Sequence, residues 1–410
     1  MPAPQWRGER VSTPPLHPSA RLVLFTTVFI DLLGFGIVIP FLPLFAARLG
    51  VGAAGVGAIL SAYSAAQLLC APVLGRLSDR VGRRPVLMLG LAGSAVGYAL
   101  YASASSFAWL LFSRVVHGAC AATVSTAQAY MADTTPESQR ASAMGLIGAA
   151  FGLGFVFGPV VGGLLGQTSL RTPAYFASAL ALANLAFAYF KLPESLTARS
   201  EVTAEAGHVR ALMPNWFSTL RQRELMRLFA IAFLSTMVFA ALETTFALVA
   251  SAKYGLQPRG VGAALAWAGL VQAVAQGYLV GRLAKTVSET ILVRVGVVAM
   301  GVGLGPLASF SSTVALFLLL SLAAFGYGLE NPSVASLLTK FSSLRSRGEV
   351  LGFNQSALSL ARIVGPLFAG ALYQSAGQTA PYFVSAALML IALVIGFRVQ
   401  APVVQDGRKA

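Results

Sequence analysis

The sequence predicts an all-α integral membrane protein of twelve transmembrane helices, arranged as two pseudo-symmetric six-helix bundles. Three observations carry this: a composition too apolar for water, twelve apolar runs long enough to cross a bilayer, and a repeat that maps the first half of the chain onto the second. Of 410 residues, 56% are hydrophobic and 10% charged, with mean hydropathy +0.74. A soluble domain carries about a quarter charged residues.

A helix crosses the hydrocarbon core with about 20 apolar residues. Runs of that length lie at 22–46, 56–74, 86–104, 107–132, 141–166, 173–191, 225–252, 258–283, 289–309, 312–338, 349–374 and 378–398. The first contains Asp31 and is too long and too far from any small-residue cleavage site to be a signal peptide, so it is retained. The fourth carries Arg114 and His117, the fifth a glycine series with Pro159, the seventh Glu243 between Phe239 and Phe246. In the tenth, Glu330, Asn331 and Pro332 interrupt the run, and the eleventh holds Arg362 at mid-span.

The second half repeats the first. Arg140, Gly145, Gly158, Pro159, Gly163, Tyr175 and Phe176 recur 207 residues later as Arg347, Gly352, Gly365, Pro366, Gly370, Tyr382 and Phe383. Such repeats are common in transporters that rock around a central site. The expected organisation is a cytoplasmic arm at 1–21, a six-helix bundle at 22–192, a polar cytoplasmic linker at 193–224, a second bundle at 225–398 and a cytoplasmic tail at 399–410.

Lys and Arg set the orientation, because cytoplasmic loops collect them. With the N-terminus inside, 23 of the 29 fall in cytoplasmic segments and only Arg48, Arg171, Lys253 and Arg259 face out. Both termini are therefore expected in the cytoplasm, the chain being a multi-pass protein of the cell (inner) membrane. The net charge of +15 is spread over these short loops rather than gathered on one face, which argues against nucleic acid. His17, His117, His208, Cys70 and Cys120 are scattered singly, so neither a metal nor a cofactor is expected. No Gly-x-x-x-x-Gly-Lys-Ser/Thr loop occurs, which excludes a P-loop ATP-driven pump. No paired nucleophile and base points to an enzyme.

The loop after the second run reads Gly75-Arg-Leu-Ser-Asp79-Arg80-Val-Gly82-Arg83-Arg84-Pro85. Its glycines allow a tight turn, and Asp79 can accept from an arginine or from a helix N-terminus. A plain topology loop explains the arginines but not the Gly and Asp spacing; a gating latch explains both. The fourth run ends Ala-Tyr130-Met-Ala-Asp133, and the fifth carries Gly154, Gly158, Gly162 and Gly166 at four-residue spacing, with Pro159 and Gly163 alongside.

In these segments the chain resembles the major facilitator superfamily. The Gly75–Pro85 loop is similar to its signature between spans two and three, and Arg114 through Asp133 to its second signature. The span-five series looks like the antiporter signature of the twelve-span drug/proton branch, where Gly154, Gly158, Pro159, Gly162 and Gly163 are implied as a hinge. Plain helix packing is an equally sufficient reading of small residues four apart. Asp31 through Pro40, and Gln67-Leu-Leu-Cys-Ala-Pro72-Val-Leu-Gly75, look especially like tetracycline/proton antiporters. Three positions depart from that subfamily: Gly97 before Tyr98 where it has a span-three Asp, Gln272 where it has a His, and Met300 where it has a span-nine Asp.

An ionisable side chain inside a span costs at least ~2.5 kcal/mol and is a functional candidate. Asp31, Glu243, Glu330 and Arg114 are the proton-coupling candidates. Glu330 is either a proton acceptor in a cavity or the ion-pair partner of Arg362. Glu243, between two rings, suits a cationic apolar substrate through charge and cation–π contact. Tyr63, Gln67, Gln128, Phe239, Phe246, Trp267, Gln272, Asn331, Asn354 and Arg362 are candidates for lining the substrate cavity, and Gly75, Asp79, Arg80, Gly82, Arg83, Arg84 and Asp133 for the gate; Gln67, Gln128, Gln272 and Asn354 equally suit ties between helices, and Glu243 equally suits a solvated position at a cavity mouth. The expected partners are a small-molecule substrate, protons and the lipid bilayer, the chain acting as a monomer. The expected function is proton-coupled export of amphiphilic small molecules by alternating access. Uptake of a small organic anion on Arg114 and Arg362, and a non-transporting receptor on the same fold, are the alternatives.

Overall fold

The computed structural model describes residues 18–135, 139–195, 222–343 and 346–400. The expected arm up to residue 17, the linker between 196 and 221 and the tail beyond 400 lie outside the described residues.

Among the described residues, eleven helices are long and apolar enough to cross a membrane, and a shorter one, the ninth in chain order, stands with them. The first bundle contains α1 (Leu22–Arg48), α2 (Ala53–Val81), α3 (Arg83–Ala102), α4 (Phe107–Thr134), α5 (Arg140–Leu165) and α6 (Thr172–Lys191). The second contains α7 (Arg223–Tyr254), α8 (Pro258–Leu283), α9 (Glu289–Leu304), α10 (Thr313–Phe341), α11 (Arg347–Ala376) and α12 (Ala380–Phe397). Prolines stand in the first turns of α6, α8 and α12, where a missing N–H leaves no bond unmade. Gly255 closes α7 in the left-handed region, φ +64°, a conformation open to glycine at little cost.

Several expectations change. The Gly75–Pro85 loop is mostly helix: α2 runs on through Asp79 to Val81, and Gly82 alone, at φ +107°, makes the turn into α3. α1 tightens into a 3-10 turn at Ile39–Phe41, where Pro40 and Pro43 withdraw two N–H donors. α4 is broken rather than continuous, with helices Phe107–Cys120 and Thr123–Thr134 on either side of Ala121 and Ala122. α9 has 16 residues instead of the run 289–309, about 24 Å at 1.5 Å per residue. Gly305 and Pro306 end it, since Pro cannot continue the ladder. α10, by contrast, is uninterrupted across Glu330-Asn331-Pro332; Ser333 Oγ donates to the Leu329 carbonyl at 2.7 Å beside the bond that Pro332 cannot make. α8 holds a π-helical turn at Ala275–Leu279, where Gly328 of α10 approaches so closely that a Cβ there would lie 2.8 Å from Ala275 Cβ.

Two helix pairs join the bundles, α2 with α11 and α5 with α8. The end carrying residues 22, 191, 223 and 397 is called proximal and the opposite end distal. The tight approaches across the seam are in the distal halves. Ser61 Oγ donates to the Ile363 carbonyl at 2.6 Å, Ala54 N to Gln374 Oε1 at 3.1 Å, and Gly269 faces the backbone of Phe155. In the proximal halves, a Cβ built on Gly75, Gly145, Gly148, Gly277, Gly281, Gly348 or Gly352 would meet nothing within 4 Å. The seam is shut distally and open proximally.

Candidate functional site

Between the bundles, under the shut distal half of the seam, lies a partly open, mostly apolar pocket. Phe35, Gly36, Ile39 and Pro40 of α1 and Phe155 and Pro159 of α5 form one wall. Phe239, Leu242, Glu243, Phe246 and Ala247 of α7, Leu265, Ala268, Gly269 and Gln272 of α8, and Leu320 and Ala324 of α10 form the other. An apolar lining with few polar groups is the usual form of a small-molecule site. Glu243 is the one charged residue of the lining, with Phe239 and Phe246 one turn away on either side of it. Phe239 is held flat against Tyr327 of α10, with ring centroids 4.3 Å apart. Phe35 meets Tyr63 at a tilt and Phe155 edge-on.

Of the expected cavity residues, Phe239, Phe246 and Gln272 line the space, together with Glu243. Gln67 does not; its amide donates to the Ala121 carbonyl at 3.0 Å and satisfies a group freed by the break in α4. Trp267 lies on the outer face of α8, largely exposed, with Nε1 donating to Ser321 Oγ at 2.7 Å. Gln128 is exposed on the proximal half of α4, and Asn354 lies on the proximal half of α11. Asn331 reaches the Tyr327 hydroxyl at 3.5 Å. Tyr63 stands behind the wall, between Phe35 and His117. Phe35, Pro40 and Phe155 escaped the sequence reading because an aromatic or proline facing a cavity looks the same in one sequence as one facing lipid or a neighbouring helix.

Arg362 is not the partner of Glu330. It is exposed on α11 and near enough to Glu243, Tyr63 and Tyr327 to act on each of them electrostatically. Glu330 points away from it, into the packing of α10 on α7 and α9, because α10 and α11 touch each other little. Its side chain is 1% exposed and does not line the cavity. Both carboxyl oxygens lack a hydrogen-bond partner, and Ser235 of α7 stands beside them out of bonding geometry.

In the first bundle, Asp31 Oδ1 accepts from Ser94 Oγ of α3 at 3.0 Å, with the Thr123 hydroxyl beside it. Arg114 is 0% exposed, and none of its three guanidinium nitrogens has a hydrogen-bond partner. It lies over the rings of Tyr101, at 5.2 Å, and Tyr98, at 6.0 Å, a cation–π cage in place of a counter-ion. His117 fills the space next to Gly97 and packs edge-on to Tyr98 and Tyr63.

At the proximal end, Arg83 bridges two carboxylates. Its Nε donates to Asp133 Oδ2 at 2.8 Å, and its Nη1 pairs with Asp79. The backbone N–H groups of Arg83 and Arg84 donate to Glu194 at 2.9 and 3.1 Å, so the second residue of the expected linker caps α3. Arg84 Nη2 donates to the Tyr189 carbonyl at 2.5 Å, whereas Arg80 is exposed.

The span-five glycines divide. Gly154, Gly158 and Gly162 face Leu32, Gly36 and Ile37 of α1 inside their own bundle, which is the packing reading. Pro159 and Gly163 face Gly262 and Pro258 of α8 across the seam, where a hinge would act.

Comparison with known proteins bears on this arrangement. The profile of the Major Facilitator Superfamily matches residues 24–342 and 244–409. The chain is 33% identical over 384 residues to the class E tetracycline resistance protein of Escherichia coli, covering 91% of this chain and 93% of that protein. It is 29% identical over 367 residues to multidrug resistance protein 2 of Bacillus subtilis, covering 86% and 88%. Among solved structures, the human organic anion transporter MFSD10 (TETRAN) superposes with a TM-score of 0.67 at 28% identity, covering 93% of this chain and 100% of that one.

Proposed function

The chain belongs to the Major Facilitator Superfamily, and from that premise we propose that it is a proton-coupled secondary transporter that exports amphiphilic, drug-like small molecules by alternating access. The observation that carries the reading is the aromatic cavity between the bundles with Glu243 as its one charged group. A carboxylate flanked by rings favours a cation with an apolar body. Export is supported by the relatives named for resistance to tetracycline and to multiple drugs. The charge split among the loops supports a cytoplasmic proximal end in the cell membrane, which makes the open side of the seam the inner one. In this reading the state described is inward-facing, and the chain works as a monomer.

Asp31, Glu243, Glu330 and Arg114 are the groups through which proton movement is coupled, with Arg83, Asp79 and Asp133 as the inner latch and Pro159 and Gly163 as the moving contact. A second reading, carriage of an organic anion, is favoured by the likeness to the human organic anion transporter. The cage of Tyr98 and Tyr101 around Arg114 speaks against it, since it keeps that charge from the cavity.

Proteoliposomes with an imposed pH gradient, offered a panel of amphiphilic cations, tetracycline and organic acids, test both readings. Gradient-dependent accumulation of cationic or neutral amphiphiles is expected. Accumulation of the acids alone would replace this reading with the second.

A further inference from the structure

We propose that the half-helix Thr123–Thr134 of α4 is a lever that carries the charge state of Asp31, at its start, to the Arg83 latch, at its end. The proposal rests on the reading of Asp31 as a proton-handling group and adds the mechanical part that makes its proton felt at the gate.

Four features meet at the break. The residue that starts the half-helix, Ala122, has no side chain able to cap it. The first-turn N–H groups of any helix lack acceptors of their own, and an anion near them is stabilised by about 0.3–1 kcal/mol, more when partly buried. Asp31 of α1 comes to that turn from another helix: it stands beside the Thr123 hydroxyl and is fixed by Ser94 Oγ at 3.0 Å. On the other side of the break, the Ala121 carbonyl accepts from Gln67 of α2 at 3.0 Å. Finally, α3 makes room for the break with Gly90 and Gly93, since a Cβ on Gly90 would lie 2.6 Å from Thr123 Oγ1 and one on Gly93 would strike Cys120. The break is held from three neighbouring helices and is not a frayed end.

The half-helix has 12 residues, about 18 Å of rigid rise. Asp133 lies in its last turn and accepts from Arg83 Nε at 2.8 Å, and the same guanidinium pairs with Asp79. Thus one rigid element has an intramembrane carboxyl at one end and the gate's ion-pair cluster at the other. Other groups facing Asp31 are Tyr98 of α3 and Tyr63 of α2, with Arg114 beyond the Tyr98 ring; the Asn184 amide of α6 goes to the Thr27 carbonyl at 2.9 Å. Among the described residues no Lys, Arg or His forms an ion pair with Asp31. When Asp31 is ionised, the half-helix is drawn to it and held where it is seen. When Asp31 binds a proton, that attraction is lost, the half-helix slides, and Asp133 shifts its hold on Arg83.

Spin labels on cysteines placed at Val115 and Gln128, with Cys70 and Cys120 replaced by alanine, span the break from exposed positions on the two halves. In the reconstituted full-length protein, their distance is expected to change by about 1–2 Å between high and low pH, the scale of helix shifts in switching proteins. Asp31→Asn should remove the pH dependence, and Ser94→Ala, which keeps the carboxyl but removes its donor, should move its midpoint. A distance that does not respond to pH overturns the lever, as does a response that persists unchanged in both variants. Flux measured on the same samples separates this from the coupling reading: loss of gradient-driven flux in Asp31→Asn with an unresponsive distance removes the lever alone, whereas full flux in Asp31→Asn removes Asp31 as a coupling group.

Discussion

Gly163 of α5 and Gly262 of α8 meet backbone to backbone across the seam: a Cβ on Gly163 would lie 3.2 Å from Gly262 Cα, and one on Gly262 would lie 3.0 Å from Gly163 Cα. No side chain fits between them while the distal half is shut. Overpacking a close contact costs about 1–3 kcal/mol, enough to shift a two-state equilibrium by roughly 5- to 100-fold. Gly262→Leu is therefore expected to open the distal side at near-normal expression, cut transport by at least about tenfold, and raise labelling of a cysteine at Ala268 by an impermeant reagent added from the distal side. Unchanged labelling together with normal flux would show that this contact does not hold the closure.

The orientation is tested by impermeant thiol labelling of single cysteines in intact cells. Cysteines at Gly50, Arg171 and Gly255, at the distal end, should react, while one at Arg80, at the proximal end, should be protected. The reverse pattern would turn the described state into an outward-open one.

Glu243 is in reach of any ligand in the cavity, where Phe239 and Phe246 flank it. Glu243→Gln keeps the shape and removes the charge. Loss of a desolvated charge and cation contact of about 1–2 kcal/mol predicts a rise of roughly 5- to 30-fold in KM for cationic substrates, with neutral amphiphiles little affected. Competition transport assays with one cationic and one neutral substrate read the difference, and an equal effect on both would show that Glu243 does not choose the charge.

Much of this was legible in the sequence because hydropathy and repeats are local properties. Among the described residues eleven of the twelve runs are helices long and apolar enough to cross a membrane and the ninth is shorter, and Glu243 lies on the cavity wall whereas Glu330, an acid equally within a span, does not. The break in α4 was not legible. Ala121 and Ala122 carry no helix-breaking signal, and what supports the break is Gln67 from α2 and Asp31 from α1, far away in the chain. The same blindness left Gln67 between lining the cavity and tying helices, of which it does the second, and sent Trp267 into the cavity although it is turned onto Ser321. Similarly, Glu330 and Arg362 read as a pair by depth along their helices, but which way each helix turns its face is decided by packing.

Arg83 holds two carboxylates at once, Asp79 along its own turn and Asp133 from α4. Its planar fork can bridge them where a lysine point charge serves only one well. Arg83→Lys is expected to leave protein in the membrane and reduce transport about tenfold or more, and Asp79→Asn to do the same. Normal flux at normal expression in both would reduce the cluster to a topology signal.

The last prediction concerns two acids within the spans, the half-buried Asp31 and the buried Glu330, which the geometry separates into different situations. Asp31 has two hydroxyls to stabilise its charge, Ser94, which donates to it, and Thr123 beside it. Glu330, 1% exposed, has only the Ser235 hydroxyl beside it, out of bonding geometry, and no opposite charge in an ion pair among the described residues. An isolated charge buried in that way costs several kcal/mol, so removing the ionisable group there should not destabilise the fold, and Glu330→Gln is expected at wild-type protein levels. Because Glu330 and Arg362 are not paired, exchanging the two residues should lower expression and rescue nothing, placing a guanidinium where no partner exists. Function separates the roles further. If Glu330 must lose its proton during the cycle, Glu330→Gln abolishes gradient-driven flux but leaves substrate exchange at equal pH, since exchange needs alternation of the loaded carrier without net proton movement. Asp31→Asn should give the same split. Full gradient-driven flux in Asp31→Asn, Glu243→Gln and Glu330→Gln alike would remove every acid within the spans from coupling, and a sodium-coupled or uncoupled carrier would take the place of the antiporter.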